Sequence, residues 1–375
     1  MIRLQASVSK GWLHANAGFQ FPEKYYLDPL FRYEQDRKID AYLRTRFPST
    51  PLYNMEDNLV QQDYVVPNQV LFDAMQPNLL VAALLGASFH FDNGLDPDVN
   101  GAPLAEIHSA DELPSPERLL DHPLLDDFRK RFAELSRERP DLRPIPPFFW
   151  DTSGRGTIHG IITTSFKLVG QNIFLLMSDR KELVHAIHRW IVDCYTVLLR
   201  HFSEAGRLPI TSVHVGECSG IMLSPSKFEE FVVPYLTLLG REFGALRLHS
   251  CGNSDRLLPA MARVENVRIL DVGSGTSLAK IRGLFGPSME INTFPALQLL
   301  RRGMDREAVL EWYDKIREDN AGGPLQIAFH LEEDYDLENC LAIHEAVQND
   351  QAAPCSATIP AVTEGTLVNV CVTNI

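Results

Sequence analysis

The sequence predicts an α/β fold, a TIM (β/α)8 barrel with an irregular N-terminal cap and a short C-terminal extension. Helical and extended apolar patterns alternate between residues 146 and 348, which is typical of a parallel sheet, closed or open. Polar side chains follow one predicted strand after another, as at the active-site face of a barrel. We therefore expect a cap and the first part of the barrel in 1–145, the barrel with its active-site face in 146–348, and a tail in 349–375.

The composition excludes two classes of partner. The 375 residues are 45% hydrophobic and carry a net charge of −14, so the chain can bury a full core and would repel the phosphate backbone of a nucleic acid. The longest apolar run, "NLLVAALLGASF" at 78–89, is shorter than the roughly 20 residues that span a membrane. Six scattered cysteines indicate reduced thiols and a cytoplasmic protein.

The first 145 residues contain few regular patterns. "FRYEQDRKIDAYLRTRF" at 31–47 has apolar residues at helical spacing and predicts one helix. The Pro-rich stretch "RPIPPFFW" at 143–150 marks the boundary with the barrel. We interpret this part of the chain as an irregular cap.

The barrel region alternates helices and strands. Apolar residues recur at helical spacing in 179–204, "LPITSVHVGE" at 208–217 is an extended run, and 224–244 opens with the Ser-Pro pair typical of a helix start. The same patterns predict strands at 245–249, 266–272, 288–292 and 324–330, and helices at 253–263, at 276–285, along a stretch ending at 320, and at 337–347.

Chemically active side chains stand at the carboxyl ends of successive predicted strands. They are Glu217 and Cys218, His249 and Cys251, Asp271, Glu290 and Asn292, and His330 with Glu332. A parallel barrel brings these strand ends together on one face. Asp, Asn and Gly also mark strand ends because they form turns, so the pattern predicts a site without fixing its members.

The segment "LRLHSCGN" at 246–253 is a candidate metal site. Side chains alternate along a strand, so His249 and Cys251 lie on the same side if the strand continues through them. Imidazole nitrogen and thiolate sulfur are both zinc ligands, and a third ligand with an open fourth position makes such a site catalytic. The alternative is a cysteine that fills a buried space beside a hydrogen-bonded histidine.

Two carboxylates are further candidates. Glu217 is a ligand, a catalytic base or the partner of an arginine; Cys218 is its neighbour, and adjacent residues of an extended chain point to opposite faces. We favour Glu217 over Cys218 as the one that faces the cavity. Asp271 either orients a ligand histidine, completes the metal sphere, or caps the turn at 273–276.

The segment "DTSGRGTIHG" precedes the predicted barrel and contains Arg155 and His159 as candidate catalytic residues. A guanidinium such as that of Arg155 binds a carboxylate or phosphate through two parallel hydrogen bonds. The alternative for Arg155 is a salt bridge with Asp151 in the same loop.

A glycine motif suggests a different class of enzyme. "ILDVGSGTS" at 269–277 is similar to the first motif of methyltransferases that use S-adenosylmethionine. That motif normally opens its Rossmann sheet, whereas here too few predicted strands follow it. Ser277 also stands at the third glycine position, so we do not favour this interpretation.

From about residue 150 to 348 the sequence resembles the uroporphyrinogen decarboxylase superfamily. The resemblance lies in "GECSGIMLSPSKFEEFVVPYL", "LRLHSCGN", "LDVGSGTSLAKIRGLFG" and "GGPLQIAFHLEEDYDLENCLAIHEAV". This superfamily includes zinc-dependent methyltransferases that act on methyl-corrinoid proteins, and it is related to cobalamin-independent methionine synthase. The resemblance thus implies a barrel enzyme with Zn2+ as cofactor and a corrinoid, such as methylcobalamin, as methyl donor.

The resemblance also implies particular ligands. In the methyltransferase branch the His-x-Cys pair holds zinc, which corresponds to His249 and Cys251 here. The third ligand of that branch is a cysteine in the loop of the last strand, whereas this sequence has His330 at that place and Cys340 on the following helix. An imidazole in place of a thiolate makes the ion a stronger Lewis acid and a poorer activator of a bound thiol.

These observations predict a zinc-dependent methyltransferase that activates a thiol or a similar nucleophile of a small-molecule substrate, with a corrinoid protein as partner. A lyase of the decarboxylase type is the alternative, with Arg155 or Arg247 holding a carboxylate and Asp271 protonating a carbanion. However, the arginine-rich signature of porphyrinogen decarboxylases is not recognisable in residues 1–60. The second alternative is a corrinoid or tetrapyrrole binding protein without catalytic turnover.

Overall fold

The computed structural model describes residues 2–48, 68–72, 75–92, 96–149 and 152–352. Its strands in chain order are β1 (Ile2–Val8), β2 (Gln69–Leu71), β3 (Ser88–His90), β4 (Asp98–Asn100), β5 (Arg143–Ile145), β6 (Arg155–His159), β7 (Ser212–Gly216), β8 (Leu246–Ser250), β9 (Val267–Val272), β10 (Glu290–Thr293) and β11 (Leu325–Leu331).

The α-helices surround the main sheet or belong to the N-terminal part. They are α1 (Lys10–Ala17), α2 (Glu23–Leu27), α3 (Pro29–Arg46), α4 (Pro77–Leu84), α5 (Pro123–Glu138), α6 (Ile161–Val169), α7 (Asn172–Asp179), α8 (Lys181–Gly206), α9 (Pro225–Phe231), α10 (Val233–Phe243), α11 (Leu258–Met261), α12 (Leu278–Phe285), α13 (Leu297–Leu300), α14 (Arg306–Asp319) and α15 (Leu337–Ala352). Short 3-10 helices cover Ala110–Glu112, Pro116–Asp121 and Cys218–Met222.

Seven parallel strands form one curled sheet in the order β1-β11-β10-β9-β8-β7-β6. The sheet is a half-barrel, which confirms the predicted α/β class with a parallel sheet. Within the described residues no eighth strand joins β6 to β1. The segments between them form two separate two-stranded sheets, β2 with β5 and β3 with β4.

The first part of the barrel was expected within 1–145, but strand β1 was not predicted, because no strand pattern was identified in residues 2–8. All of β1 pairs with β11, from Ile2 opposite Leu325 to Val8 opposite Leu331. Apolar and polar residues alternate in "IRLQASV", which is the period of a strand. The N-terminus thus completes one side of the sheet that carries the candidate site.

The two faces of the central strands differ in polarity. Val213 and Val215 of β7 are completely buried, and His214 between them points to the opposite face because side chains alternate. Arg247 and His249 share that inner face on β8. The inner face of these strands therefore carries the polar and charged side chains of His214, Arg247 and His249, near the carboxyl ends of the strands.

Several predicted helices are shorter or divided in the structure. The predicted helix 224–244 consists of α9 and α10, which meet at Val232. Pro234 is in the first turn of α10, where its missing N–H and fixed φ are tolerated, but it cannot continue an existing helix. The predicted helix 253–263 contracts to α11, because side chains of Asn253 and Ser254 bind nearby polar groups in the turn before it.

The remaining features concern the ends of the chain and its helices. The helix predicted at 31–47 is α3, and its N-cap Asp28 accepts hydrogen bonds from the N–H groups of Leu30 and Phe31. Most of the predicted C-terminal tail, 353–375, lies outside the described residues. None of the described helices alone has the length and apolar composition for a membrane span, although α6 and α7, bent by 107°, satisfy these two criteria as a pair.

Candidate metal centre

The candidate site forms where β7 and β8 end side by side. Gly216, the last residue of β7, stands opposite His249 in the register of the two strands. The Glu217 N–H then donates a hydrogen bond to the His249 carbonyl oxygen at 2.8 Å. Immediately afterwards the chain leaves the strand and forms the 3-10 helix Cys218–Met222, which turns Cys218 toward the end of β8.

Three potential metal ligands meet at this point. The Cys218 and Cys251 sulfurs are 2.7 Å apart, and His249 Nε2 is 3.0 Å from Cys251 Sγ. One ligand atom from each of the three residues lies within 4.8 Å of the others, and no other group of His, Cys, Asp or Glu side chains in the described residues satisfies this criterion. Cys251 is exposed, while Cys218 and His249 are half-buried, so the cluster can be reached from solvent.

The other nitrogen of His249 faces a buried ion pair. His249 Nδ1 lies 3.2 Å from Asp271 Oδ1, and Arg247 donates to Asp271 Oδ2 from Nε at 3.0 Å and from Nη2 at 2.7 Å. The Asn292 amide oxygen accepts a further hydrogen bond from Arg247 Nη2 at 2.6 Å. This network fixes the imidazole plane and directs Nε2 toward the two sulfurs.

The same network determines the charges beneath the cluster. Burial opposes ionisation of Asp271, but the charges of Arg247 and His249 hold the pKa of this carboxyl well below its usual range. Burial likewise opposes the charged form of His249, but the Asp271 carboxylate raises the pKa of this imidazole to about 10. A carboxylate in this place raises the basicity of a histidine and so strengthens it as a ligand.

The glycine motif after β9 supports the backbone of Cys251. The Gly273 N–H donates to the Ser250 carbonyl oxygen at 2.9 Å, and a Cβ at Gly273 would lie 2.5 Å from the Cys251 carbonyl carbon. Thr276 Oγ1 donates to the Gly252 carbonyl oxygen at 3.2 Å. The glycine is therefore required for close packing of two loops, which is a different role from that of the S-adenosylmethionine motif.

Glu217 turns away from the cluster. It is completely buried, and its carboxylate accepts hydrogen bonds from the N–H groups of Ile161, Ile162 and Thr163 at the start of α6, at 2.5, 3.0 and 3.2 Å. Burial raises the pKa of Glu217 to about 8, although these backbone N–H groups act in the opposite direction. The structure thus brings Cys218, rather than Glu217, to His249 and Cys251.

Two further histidines flank the cluster. His214 stacks on His249 with 5.7 Å between ring centroids, and burial holds the pKa of His214 well below its usual value. His159, the last residue of β6, is half-buried, and its Nδ1 has no hydrogen-bond partner within the described protein atoms. Burial, followed by the neighbouring charge of His249, lowers the pKa of His159 to about 4, so both rings are neutral near pH 7.

The family follows from a comparison of the sequence with known families. The profile described as "Uroporphyrinogen decarboxylase (URO-D)" matches residues 78–292, which is more than half of the chain. The chain belongs to the uroporphyrinogen decarboxylase family. This confirms the membership predicted from the sequence, in a superfamily of enzymes that includes methyltransferases.

Among solved structures, this uroporphyrinogen decarboxylase family member is similar to a "methyltransferase from Methanosarcina mazei". The TM-score is 0.62 at 16% sequence identity, and the match covers 93% of this chain and 94% of that chain. At this identity the similarity shows the fold alone. A search of curated proteins gave no significant match.

In this member of the uroporphyrinogen decarboxylase family, two predicted residues lie apart from the cluster. His330 is on β11, three strands from β8 in the sheet, and its Nδ1 is 2.5 Å from Ser7 Oγ. Arg155 is the first residue of β6, at the opposite end of the strand from His159 and therefore roughly 13 Å away along the chain direction. Asp151, the partner predicted for Arg155, lies outside the described residues.

Cys218 is the member of the cluster that the sequence analysis did not select. Alternation along an extended chain gave Glu217 the inward position, but β7 ends at Gly216, so the alternation no longer applies to the next two residues. The glycines that bracket "GECSG" are a sequence signal for this strand end. The same alternation within β7 would have placed His214 on the inner face beside β8.

Proposed function

We propose that this protein is a zinc-dependent methyltransferase of the uroporphyrinogen decarboxylase family. The observation that carries the proposal is the convergence of Cys218, His249 and Cys251 at the carboxyl ends of two neighbouring strands. In the proposal these three residues hold the metal, and Cys218 takes the place that the sequence analysis gave to His330. We also propose, as predicted from the sequence, that an eighth strand closes the barrel and that the protein is cytoplasmic.

The donor set fits zinc. Two sulfurs and one imidazole nitrogen are its usual protein ligands, and three protein ligands leave a position for a substrate. Zinc bound in this way would coordinate a substrate sulfur and lower the pKa of its thiol, which makes the sulfur a nucleophile toward a methyl group. With Cys218 as third ligand the site has two thiolates, so it is more electron-rich than the His-Cys-His site predicted from the sequence.

The surrounding side chains have distinct roles in this proposal. The Asp271 carboxylate, whose Oδ1 lies 3.2 Å from His249 Nδ1, favours the proton on that nitrogen and leaves Nε2 free for the metal. Arg247 keeps Asp271 ionised. His159 is neutral near pH 7 and has an unpartnered Nδ1 within the described protein atoms, so we assign it as a hydrogen-bonding group that orients the substrate thiol.

A small-molecule substrate and a methylated corrinoid, free or on a corrinoid protein, complete the proposal. A cavity of about 770 Å3 opens beyond the carboxyl ends of β10 and β11, and none of its lining residues belongs to the cluster. Its lining combines charged, polar and apolar side chains: Asn16, Leu297, Arg302, Glu332 and Tyr335. Its size is that of an ordinary small-molecule site.

The decarboxylase alternative has less support from the same geometry. It requires Asp271 to donate a proton, but Arg247 and His249 keep the pKa of this carboxyl well below its usual range. It also uses Arg247 to hold a substrate carboxylate, but this residue is 6% exposed and its guanidinium is already bonded to Asp271 and Asn292. Thiol methylation makes no such demand on these residues.

The metal content of purified protein tests the proposal. Protein purified without added zinc should contain about one zinc per chain, measured by plasma mass spectrometry, and anomalous scattering at the zinc edge should place it at Cys251. Cys218→Ser and Cys251→Ser should lose the metal and the corrinoid-dependent methylation of a thiol. Cys194→Ser, at a buried cysteine of α8, is the matched control and should retain both.

His330→Gln separates the two possible ligand sets. We expect the variant to keep its zinc, because His330 bonds to Ser7, lies three strands from β8 in the sheet and is not a member of the cluster of Cys218, His249 and Cys251. Zinc loss from His330→Gln but not from Cys218→Ser would favour the ligands predicted from the sequence. Wild-type protein that transfers methyl groups without any metal would reject the proposal.

A further inference from the structure

Glu217 follows the last residue of β7, and its side chain connects this strand end to the start of α6. Its carboxylate receives three consecutive N–H groups at the start of α6, those of Ile161, Ile162 and Thr163. These are groups that a helix leaves unsatisfied at its N-terminus, where a negative charge is also favoured. The acceptor is supplied by a residue more than 50 positions away in sequence, so the bond fixes one element relative to another.

The packing leaves little freedom at this junction. A Cβ on Gly160 would lie 2.7 Å from the Glu217 Cα, and a Cβ on Gly220 would lie 2.8 Å from the Phe228 ring. Distances below 3 Å are not found for real Cβ atoms, so each glycine allows a close approach of its neighbours. The backbone on both sides of Cys218 is therefore held between α6 and α9.

Two backbone hydrogen bonds bracket Cys218. The Glu217 N–H donates to the His249 carbonyl oxygen at 2.8 Å, and the Ser219 N–H donates to Thr163 Oγ1 at 3.1 Å. Together with the Glu217 carboxylate, these contacts connect the residues before and after Cys218 to β8 and to α6. The direction of the Cys218 side chain is determined by these connections.

The contacts of Glu217 also argue against a role as acid or base. The side chain is completely buried, and both carboxylate oxygens accept backbone hydrogen bonds. A group that exchanges protons with a substrate must come within hydrogen-bond reach of it. The Glu217 carboxylate contacts α6, whereas the Cys218 sulfur lies beside Cys251.

We infer that Glu217 is a positioning residue, which holds the Cys218 sulfur beside Cys251 by anchoring the turn at 216–219 to the N-terminus of α6. The inference rests on the proposed function, because it concerns the geometry of the metal centre. It assigns the buried carboxylate a purpose that neither substrate contact nor metal coordination explains.

Cobalt(II) binding tests this inference, because sulfur-to-cobalt charge-transfer absorbance reports the number of bound thiolates. Wild-type apoprotein should show the intensity of two thiolates, and Cys218→Ser should show about half of it. Glu217→Gln places an amide NH2 against backbone N–H donors, so the turn should shift. We expect Glu217→Gln to resemble Cys218→Ser in intensity and to bind cobalt about 10- to 100-fold more weakly than wild type.

Two further variants separate positioning from general stability. Gly160→Ala leaves the Glu217 side chain intact but removes the space beside it, and should cause the same loss of thiolate absorbance even if Glu217→Gln does not fold. Asp28→Ala removes another carboxylate that caps a helix, α3, far from the metal centre in the sequence. It should lower the melting temperature and leave the two-thiolate spectrum unchanged.

The outcomes distinguish this inference from the proposed function. Wild-type protein without any thiolate-to-cobalt absorbance would overturn both. A normal wild-type spectrum, with folded Glu217→Gln and Gly160→Ala proteins that keep two thiolates and unchanged cobalt affinity, would overturn the positioning role alone. Weaker binding with one thiolate in both variants supports it.

Discussion

At the scale of single residues, two histidines of this protein differ in charge state according to their partners. His249 has a carboxylate at Nδ1 and two sulfurs near Nε2, which favours its charged or metal-bound form. His188 of α8 is completely buried, its Nδ1 donates to the Phe231 carbonyl oxygen at 2.7 Å, and its Nε2 has no partner within the described protein atoms. A proton added to His188 would have no acceptor, so this ring stays neutral.

The neutral state of His188 predicts a pH-dependent contribution to stability. Burial lowers the pKa of His188 from 6.5 to about 3. The nearby His185 acts in the same direction, and the hydrogen bond to Phe231 acts in the opposite one. Between these values the unfolded chain binds a proton that the folded chain does not, so stability falls as the pH drops below 6.5. His188→Asn should be less stable than wild type at pH 7.5, and the difference should shrink by about 1 kcal/mol between pH 6 and pH 5.

Urea denaturation at several pH values measures this difference. In His188→Asn the amide can still donate a hydrogen bond to the Phe231 carbonyl oxygen. The variant therefore differs from wild type mainly in lacking the titratable imidazole and in some packing. Curves of free energy of unfolding against pH that remain parallel for the two proteins would contradict the assignment of a neutral His188.

At the scale of secondary-structure elements, the candidate site depends on loops that pack closely on one another. The loop after β8 carries Cys251, and the loop after β9 supports it through Gly273 and Thr276. Ser254 adds two bonds, from its N–H to Thr276 Oγ1 at 2.9 Å and from its hydroxyl to Ser250 Oγ at 2.9 Å. Cys251, the proposed metal ligand, is thus held by a neighbouring βα unit.

We expect substitution by alanine to have opposite effects on stability at two glycines of this βα unit. Gly273→Ala places a methyl group against the Cys251 backbone, and should destabilise the protein by about 1–3 kcal/mol and weaken metal binding. Gly283 lies within α12, with open space around its Cβ position. Gly283→Ala should stabilise the protein by up to about 1 kcal/mol, because alanine favours the helix, and should not change metal binding.

Thermal denaturation and metal content of the two variants provide the comparison. An increase in the melting temperature of Gly283→Ala would show that an added methyl group does not by itself destabilise this βα unit. Normal zinc content in Gly273→Ala would contradict the supporting role of the β9 loop.

At the scale of the whole molecule, the N-terminus and the last part of the described chain form one structure. Strand β1 pairs with β11 along its full length, and Gln351 of α15 donates to the Ile2 carbonyl oxygen at 2.9 Å. Contacts between such distant segments form only when the rest of the sheet is in place. We therefore expect the N-terminal strand and the central strands to unfold together.

Val8→Ala and Leu270→Ala test this cooperativity. Both side chains are completely buried, one on β1 and the other on β9. Each truncation should cost about 2–4 kcal/mol from lost burial and the cavity that remains. Both should shift one urea transition, with coincident midpoints by circular dichroism and tryptophan fluorescence. A separate early transition in Val8→Ala would instead indicate an independently folding N-terminal cap.

The sequence by itself determined the features that depend on local periodicity. Alternating strand and helix patterns predicted the parallel sheet from β7 to β11, and the two-residue period of a strand predicted that His249 and Cys251 share a side. The position of Asp271 at the end of β9 also followed from its strand, because neighbouring parallel strands place their ends together.

The tertiary structure decided the features that depend on long-range packing. Cys218 lies beside Cys251 where β7 ends at Gly216 and where the Glu217 carboxylate accepts hydrogen bonds from the N–H groups of α6. The period of a strand predicts no side-chain direction beyond that end. His330 faces Ser7 because β1 returns to pair with β11. These contacts join residues far apart in sequence, so only the assembled sheet determines which of the polar strand ends meet.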